Sequence, residues 1–319
     1  MAPGLASVPP TVDFAALEMT LASLGLRDLR RIVGGWQSLA VYDARVDGQH
    51  VAVKVFDPEL VDRCVLGVRL EALSLLAATT DLVCAPVPAG GPLVNEIAVD
   101  GVGSVYAVAY EFAEGDAPDI ANPEHVARMG RALADLHSSM AALPPLDLPP
   151  LRAFPAPSDL AVLADRLGLP TAWLPRASSD GPRQLLHGDF SSKNVRVARR
   201  RWQVFDLDDC GYGPIELDLA NSLYFVLFDA LTGSDPETYR HFRHDFLGGY
   251  QDQAQVAPPD DVLDDLITRR VLALASWLAD PATAPPGILT ASAEWHTTLR
   301  GFVRRFLGTA DGTMPAETP

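Results

Sequence analysis

Within LLHGDFSSKNVRV, at residues 185–197, His187, Asp189 and, five residues further on, Asn194 fall at short fixed intervals. A second carboxylate, Asp206, follows twelve residues after Asn194 in WQVFDLDD at 202–209. These residue types suit phosphoryl transfer from a nucleoside triphosphate, which rests on positioning and on charge stabilisation. One carboxylate must orient an acceptor hydroxyl and take its proton, a role that fits Asp189. Magnesium takes oxygen ligands from carboxylates and amides, and Asn194 and Asp206 would supply them. The strand-like runs LL before His187 and VRV after Asn194 would hold the intervening loop rigidly. Taken singly, the same residues have plainer uses. Asp206 and the later Asp218 suit turn or N-cap positions, and His187 suits a buried, hydrogen-bonded site.

The chain holds only two lysines, Lys54 and Lys193. Lys54 lies among apolar residues in VAVKVF, where a charge is costly unless it meets a counter-charge. Nucleotide phosphates would provide one. Gly34-Gly35-Trp36-Gln37-Ser38 sits in a hairpin position, and glycines there let backbone N–H groups approach an anion. The GxGxxG pattern is absent, and so is GxxxxGK[ST], which argues against a P-loop kinase. Lys193 either touches the transferring phosphate or reaches solvent, with solvent favoured. Asp208 and Asp209 extend the acidic segment, as further ligands or as a solvated loop. His241 and His244 share a helical face but lack the further ligand that zinc needs, so they read as surface residues.

HGDxxxxN at 187–194, Phe205-Asp206-Leu207 and GPIELDLA at 213–220 occur in that order. Together they resemble the aminoglycoside phosphotransferase-like kinase superfamily, a branch of the protein-kinase fold. The resemblance implies an α+β, two-lobed protein-kinase-like fold, with a small β-rich N-lobe and a larger, mainly helical C-lobe. It implies Mg2+ and ATP as cofactors, with GTP left open. Asp189 would be catalytic, Asn194 and Asp206 metal ligands, and Asp218 an acid bracing the catalytic loop through backbone N–H groups, with His187 as structural support. Lys54 would pair with a helix glutamate, Glu71 being best placed and Glu59 second. Gly35 and Ser38 would cover the phosphates. The stretch Tyr110–Ala113, with Glu111 and Ala113, would be the hinge where adenine pairs with backbone groups. VFDLDD followed by GYGP, and SWLADP before Trp295, are also similar to the bacterial stress-response kinase A group.

The elements that must position these residues follow from pattern. Residues 13–25 have helical spacing, and strand-like runs at 31–46 and 49–56 are joined by the turn signal Asp47-Gly48. A helix is expected over 59–78 and strands around 92–99 and 103–112. Residues 123–142 form an amphipathic helix behind Asn122-Pro123. A Pro-rich loop spans 143–158, a strand lies near 202–205, and helices are expected near 216–232, 236–256, 260–279 and 288–308. The organisation is a nucleotide-binding lobe at 1–112, a hinge at 113–116, a helical catalytic and acceptor-binding lobe at 117–309, and a frayed tail at 310–319.

The formal net charge of −16 argues against nucleic acid and suits a cationic small molecule. No apolar run reaches the ~18–20 residues of a membrane span, and MAPGLASVPP lacks the basic start and apolar stretch of a signal peptide. A cytoplasmic protein is expected. Cys64, Cys84 and Cys210 are odd in number and widely spaced, and read as free thiols packed like small apolar groups. Only eleven residues separate Asp206 from Asp218, too few for a peptide-binding platform. The expected partner is therefore the hydroxyl of a small molecule, cationic in type, such as an antibiotic or amino alcohol. A stress-response-type protein serine/threonine kinase and a non-catalytic nucleotide-binding regulator stay open. The sequence carries no signal of oligomeric state.

Overall fold

Asp47 and Gly48 both have positive φ, 50° and 82°, as a type I′ turn requires. They join β2 (Ser38–Val46) to β3 (Gln49–Phe56), with Val46 opposite Gln49 and Ser38 opposite Phe56. The computed structural model describes residues 13–32, 38–151, 162, 165, 183–199, 201–233, 235–280 and 292–308. Gly34–Gln37, the loop beyond 151, residues 288–291 and the tail lie outside the described residues. The rest falls into two units, one of residues up to 78 with 83–113, the other of 79–82 with the chain from 114 onward.

In the first unit β1 (Arg27–Ile32), β2, β3, β4 (Pro86–Val87), β5 (Asn95–Val99) and β6 (Gly103–Glu111) form one antiparallel sheet. Side chains alternate across a strand. Tyr42, Ala44, Val51, Val53 and Val55 accordingly share one core with Leu17 and Leu21 of α1 (Phe14–Ser23). Phe56, Tyr106 and Val108 join Leu66 and Leu70 of α2 (Arg63–Ala77) in another. The helix expected from residue 59 starts at 63. Asp62 caps it by accepting N–H bonds from Cys64 and Val65 at 2.8 and 3.1 Å. β1, reading RDLRRI, is largely exposed, and this charged edge strand was hidden by its composition. Cys64 is exposed at the start of α2, whereas Cys84 and Cys210 are buried; all three are free thiols. The expectation that all three pack holds for two of them.

The second unit is mainly helical: α3 (Pro123–Ala141), α4 (Glu216–Thr232), α5 (Pro236–Ala254), α6 (Asp260–Ala279) and α7 (Ala293–Gly308). Two small two-stranded sheets sit among them. β7 (Arg183–Leu186) pairs with β10 (Gly211–Pro214), and β8 (Val195–Ala198) pairs with β9 (Arg201–Val204). Leu82, from the short return of chain at 79–82, accepts the Val204 N–H at 2.6 Å. The crossing of α3 and α5 depends on two glycines. A Cβ on Gly130 would lie 2.1 Å from the Phe246 carbonyl oxygen, and one on Gly249 would lie 2.0 Å from that of Ala127. Gly249→Ala is therefore expected to destabilise by about 1–3 kcal/mol through overpacking, despite alanine's better helix propensity. Thermal melting of the variant checks this. Among the described residues no helix is long and apolar enough to cross a membrane.

Candidate active site

β8 and β9 pair with Val195 opposite Val204, so Asn194 and Phe205 face each other at the end of the hairpin. The Phe205 N–H donates to the Asn194 carbonyl at 3.1 Å. This pairing brings Asn194 beside Asp206, which the sequence leaves twelve residues away. Asp206 has φ 68°, a left-handed conformation costly for a residue with a Cβ, and such outliers cluster at functional sites.

His187 is wholly buried. Its Nδ1 accepts the Asp189 N–H at 3.2 Å, so Nε2 carries the proton and donates to the Phe205 carbonyl at 3.1 Å. The imidazole thus ties the 187–189 turn to the strand end bearing Asp206. Gly188 has φ 87°, and a Cβ there would lie 2.5 Å from the Asp209 carbonyl oxygen. Only glycine fits that position.

Asp218, in the first turn of α4, is fully buried. Its Oδ2 accepts the His187 N–H at 2.9 Å and its Oδ1 the Gly188 N–H at 2.8 Å. His137 Nε2 donates to Oδ2 at 3.1 Å, and His137 Nδ1 is 2.9 Å from the Tyr250 hydroxyl. Burial pushes the Tyr250 phenol up, so the hydroxyl keeps its proton beside Nδ1. Burial by itself would raise the Asp218 carboxyl. The hydrogen bond and charge of His137, with the Gly188 N–H, outweigh it and hold the group below the usual carboxylate range. Gly130 and Gly249 lie on the two helices that carry His137 and Tyr250, and their close approach brings that pair together.

Asp189 is held through both carboxylate oxygens. Asn194 Nδ2 donates to Oδ2 at 3.1 Å and to the Asp189 carbonyl at 2.9 Å. Asn221 Nδ2, from α4, donates to Oδ1 at 3.1 Å, and Arg270 Nη2, from α6, lies 4.0 Å from the same oxygen. The side chain remains 32% exposed. Burial raises the Asp189 carboxyl, with the Arg270 charge opposing it. The amide hydrogens of Asn194 are committed to Asp189, which leaves Oδ1 as the atom that could ligate a metal. With the Asp206 carboxylate on the adjoining strand end, this oxygen pair could hold magnesium, which takes one or two protein ligands and completes its shell with phosphate and water.

The remaining expected residues are placed differently. Lys193 is exposed, with Nζ 5.2 Å from the Phe225 ring. Asp208 and Asp209 lie half-buried in a turn, and His241 and His244 are exposed on α5. In the first unit Lys54 lies on β3 opposite Val41 and Val108, its Nζ 5.8 Å from the Tyr110 ring. Ser38 opens β2. Gly35 lies outside the described residues. Glu111 ends β6, its carboxylate accepting the Ala85 N–H at 3.2 Å. The N–H groups of Glu111 and Phe112 go to the Ala85 and His50 carbonyls, while that of Ala113 has no partner among the described residues. Glu71 is exposed, and no ion pair among the described residues joins it to Lys54. Leu70 and Leu73 turn into the core, and the helical period carries Glu71 out to solvent. Glu59, the second choice, is exposed in a turn.

Sequence reasoning passed over His137, Tyr250, Asn221 and Arg270. His137 left one signal, a histidine on the buried stripe of an otherwise apolar helix face. The other three left none, because their roles arise only when α4, α5 and α6 pack.

A β-rich unit and a helical unit, the latter bearing an HGDxxxxN loop braced by a buried aspartate, define an α+β, protein-kinase-like phosphotransferase. The chain belongs to the phosphotransferase enzyme family, whose match covers residues 28–259. It is therefore a phosphotransferase. Among solved structures it is similar to amicoumacin kinase hAmiN in complex with AMP-PNP, Ca2+ and Ami, at 20% identity over 94% of this chain and 95% of that one, TM-score 0.68. It is also similar to the microcompartment-associated aminopropanol kinase, at 20% identity over 93% and 99%, TM-score 0.65. A third likeness is to aminoglycoside phosphotransferase APH(4)-Ia in a ternary complex with ADP and hygromycin B, at 15% identity over 93% and 99%, TM-score 0.55. At these identities the likeness speaks for the fold. No match to a curated protein was found at the level of sequence.

Proposed function

We propose that the protein is a cytoplasmic, magnesium- and ATP-dependent kinase whose acceptor is the hydroxyl of an aminated small molecule. The observation that carries this reading is Asp189, a carboxylate fixed through both oxygens yet 32% exposed. It is positioned to accept a proton from an incoming hydroxyl. The acceptor oxygen would then form its bond to the γ-phosphorus as the bond to the leaving nucleoside diphosphate breaks. Asn194 and Asp206 would hold magnesium, which when bound offsets phosphate charge. In the first unit Lys54 would steady the phosphates, with Gly35 and Ser38 over them, and the Ala113 N–H and the Glu111 backbone would meet the nucleobase.

Two features favour a small acceptor over a peptide. The segment between Asp206 and Asp218 is taken up by a turn and by β10, hydrogen-bonded to β7, which leaves no free platform. The named neighbours are kinases of amicoumacin and aminopropanol and an aminoglycoside phosphotransferase, and a net charge of −16 suits an amine. ATP or GTP with magnesium should raise the melting temperature. The stabilisation expected is about 2.7 kcal/mol at a hundredfold excess over Kd. A melting curve unmoved by either nucleotide would count against nucleotide binding altogether.

A further inference from the structure

We propose that Arg270 is a positioning residue for Asp189 that also makes the site select a hydroxyl over an ammonium. The inference rests on the kinase reading given above. Arg270 projects from α6, 22% exposed, with its guanidinium 4.5 Å from the Tyr224 ring and 5.1 Å from the Phe225 ring. These contacts with α4 hold a long side chain in one direction. Its Nη1 donates to Asn221 Oδ1.

That bond anchors the far side of the Asn221 amide. An asparagine amide can present either its oxygen or its NH2 group, whereas arginine can only donate. Arg270 takes the oxygen while Nδ2 donates to Asp189 Oδ1 at 3.1 Å and the Phe190 carbonyl at 3.4 Å, so the amide is gripped from both sides. Asn221 is buried, so water is poorly placed to do the same. Without Arg270 the buried amide oxygen loses its donor, and Asn221 is held against Asp189 from its NH2 side alone.

The second effect is one of charge. Arg270 Nη2 stands 4.0 Å from Asp189 Oδ1, and Lys193 Nζ lies 5.2 Å from the same Phe225 ring that Arg270 contacts. The charge of Asp209 acts on Asp189 in the opposite sense. An acceptor ammonium approaching Asp189 meets a like charge already beside that oxygen, and like-charge juxtaposition is a strong discriminator. A hydroxyl meets no such opposition. For an aminated acceptor this determines which end reaches the base.

The test uses the full chain with magnesium-ATP and a panel of small amino alcohols, each matched with the amine that lacks the hydroxyl. R270Q is expected to lose roughly 10–100-fold in kcat from misplacement of the base, with KM for ATP unchanged. The matched amine should inhibit about tenfold more strongly, because the opposing charge is gone. R270K should recover part of both effects. N221A, which keeps the charge but breaks the relay, should lose kcat without gaining amine inhibition. If R270Q keeps the wild-type kcat and amine inhibition, the proposal is overturned. It is equally overturned if Q and K variants melt lower with amine inhibition unchanged, since Arg270 then only braces α4 against α6. Should R270Q fail to fold, N221A retaining wild-type kcat rejects the relay, and R270K inhibited by the amine less strongly than wild type rejects the charge claim. If the wild type phosphorylates none of the panel, the kinase reading itself has failed. Amine binding followed by thermal shift in wild type and R270Q then decides the charge claim without turnover.

Discussion

Asp189→Asn is expected to lose ~10²–10⁴-fold in turnover, the range for removal of a positioned general base, while its melting temperature still rises with magnesium and nucleotide. The substitution changes little in shape. Asn194 and Asn221 each donate to one oxygen of Asp189, and an asparagine at 189 keeps one of those acceptors. It loses the other, along with the charge that faces Arg270. Whichever amide is displaced keeps a second acceptor, the Asp189 carbonyl for Asn194 and the Phe190 carbonyl for Asn221, so the fold should persist. Initial rates with a saturating acceptor, measured beside a nucleotide thermal shift, separate the two effects. A variant that turns over at the wild-type rate would remove Asp189 from the chemistry.

Asp218→Asn should produce the largest loss of stability at the site. Three donors converge on this carboxylate, the N–H groups of His187 and Gly188 and the Nε2 of His137. An asparagine offers one acceptor oxygen and puts an NH2 group against the remaining donors. At least one buried backbone N–H is left unmatched, at a cost of about 1–3 kcal/mol, more where the lost acceptor was charged. At about 3 kcal/mol and ~2–4 °C per kcal/mol, melting should fall by roughly 6–12 °C. The pH dependence has a definite sign. The Asp218 carboxyl is held below its usual range, so its contribution is full above the ordinary carboxylate pKa and is lost as pH falls through the depressed one. That acid-sensitive part of the wild-type stability should be missing from the variant. Coincident melting of the two proteins at neutral pH would show that Asp218 braces nothing.

Much of the fold was legible because local pattern and tertiary demand agree. The Asp47-Gly48 turn, the apolar alternation of β2 and β3 and the capped start of α3 are each readable within a few residues of chain. β1 was missed because an edge strand exposes its side chains and RDLRRI carries no alternation. The two-residue β4 has too little sequence to show a period. Within the site, Asp189 and Asn194 share one loop, and Asp206 reaches them through a four-residue hairpin strand, so short-range spacing sufficed to draw attention to them. His137, Asn221, Tyr250 and Arg270 come from four helices spread over more than a hundred residues, and only packing gives them a common purpose. Glu71 shows the reverse failure. A glutamate on α2 was assigned to Lys54, but the helical period sends it to solvent. Gly130 and Gly249 were likewise invisible as a pair, since a close helix crossing is a relation between distant segments.

The most direct test of the account is transfer of labelled γ-phosphate from ATP, with magnesium, to a panel of amino alcohols and aminoglycosides, run beside Asp189→Asn and a generic protein substrate. The account predicts magnesium-dependent labelling of at least one aminated small molecule by the wild type, near-complete loss of it in Asp189→Asn, and no labelling of protein. Labelling of the protein substrate alone, or equal labelling of a small molecule by both enzymes, would contradict it.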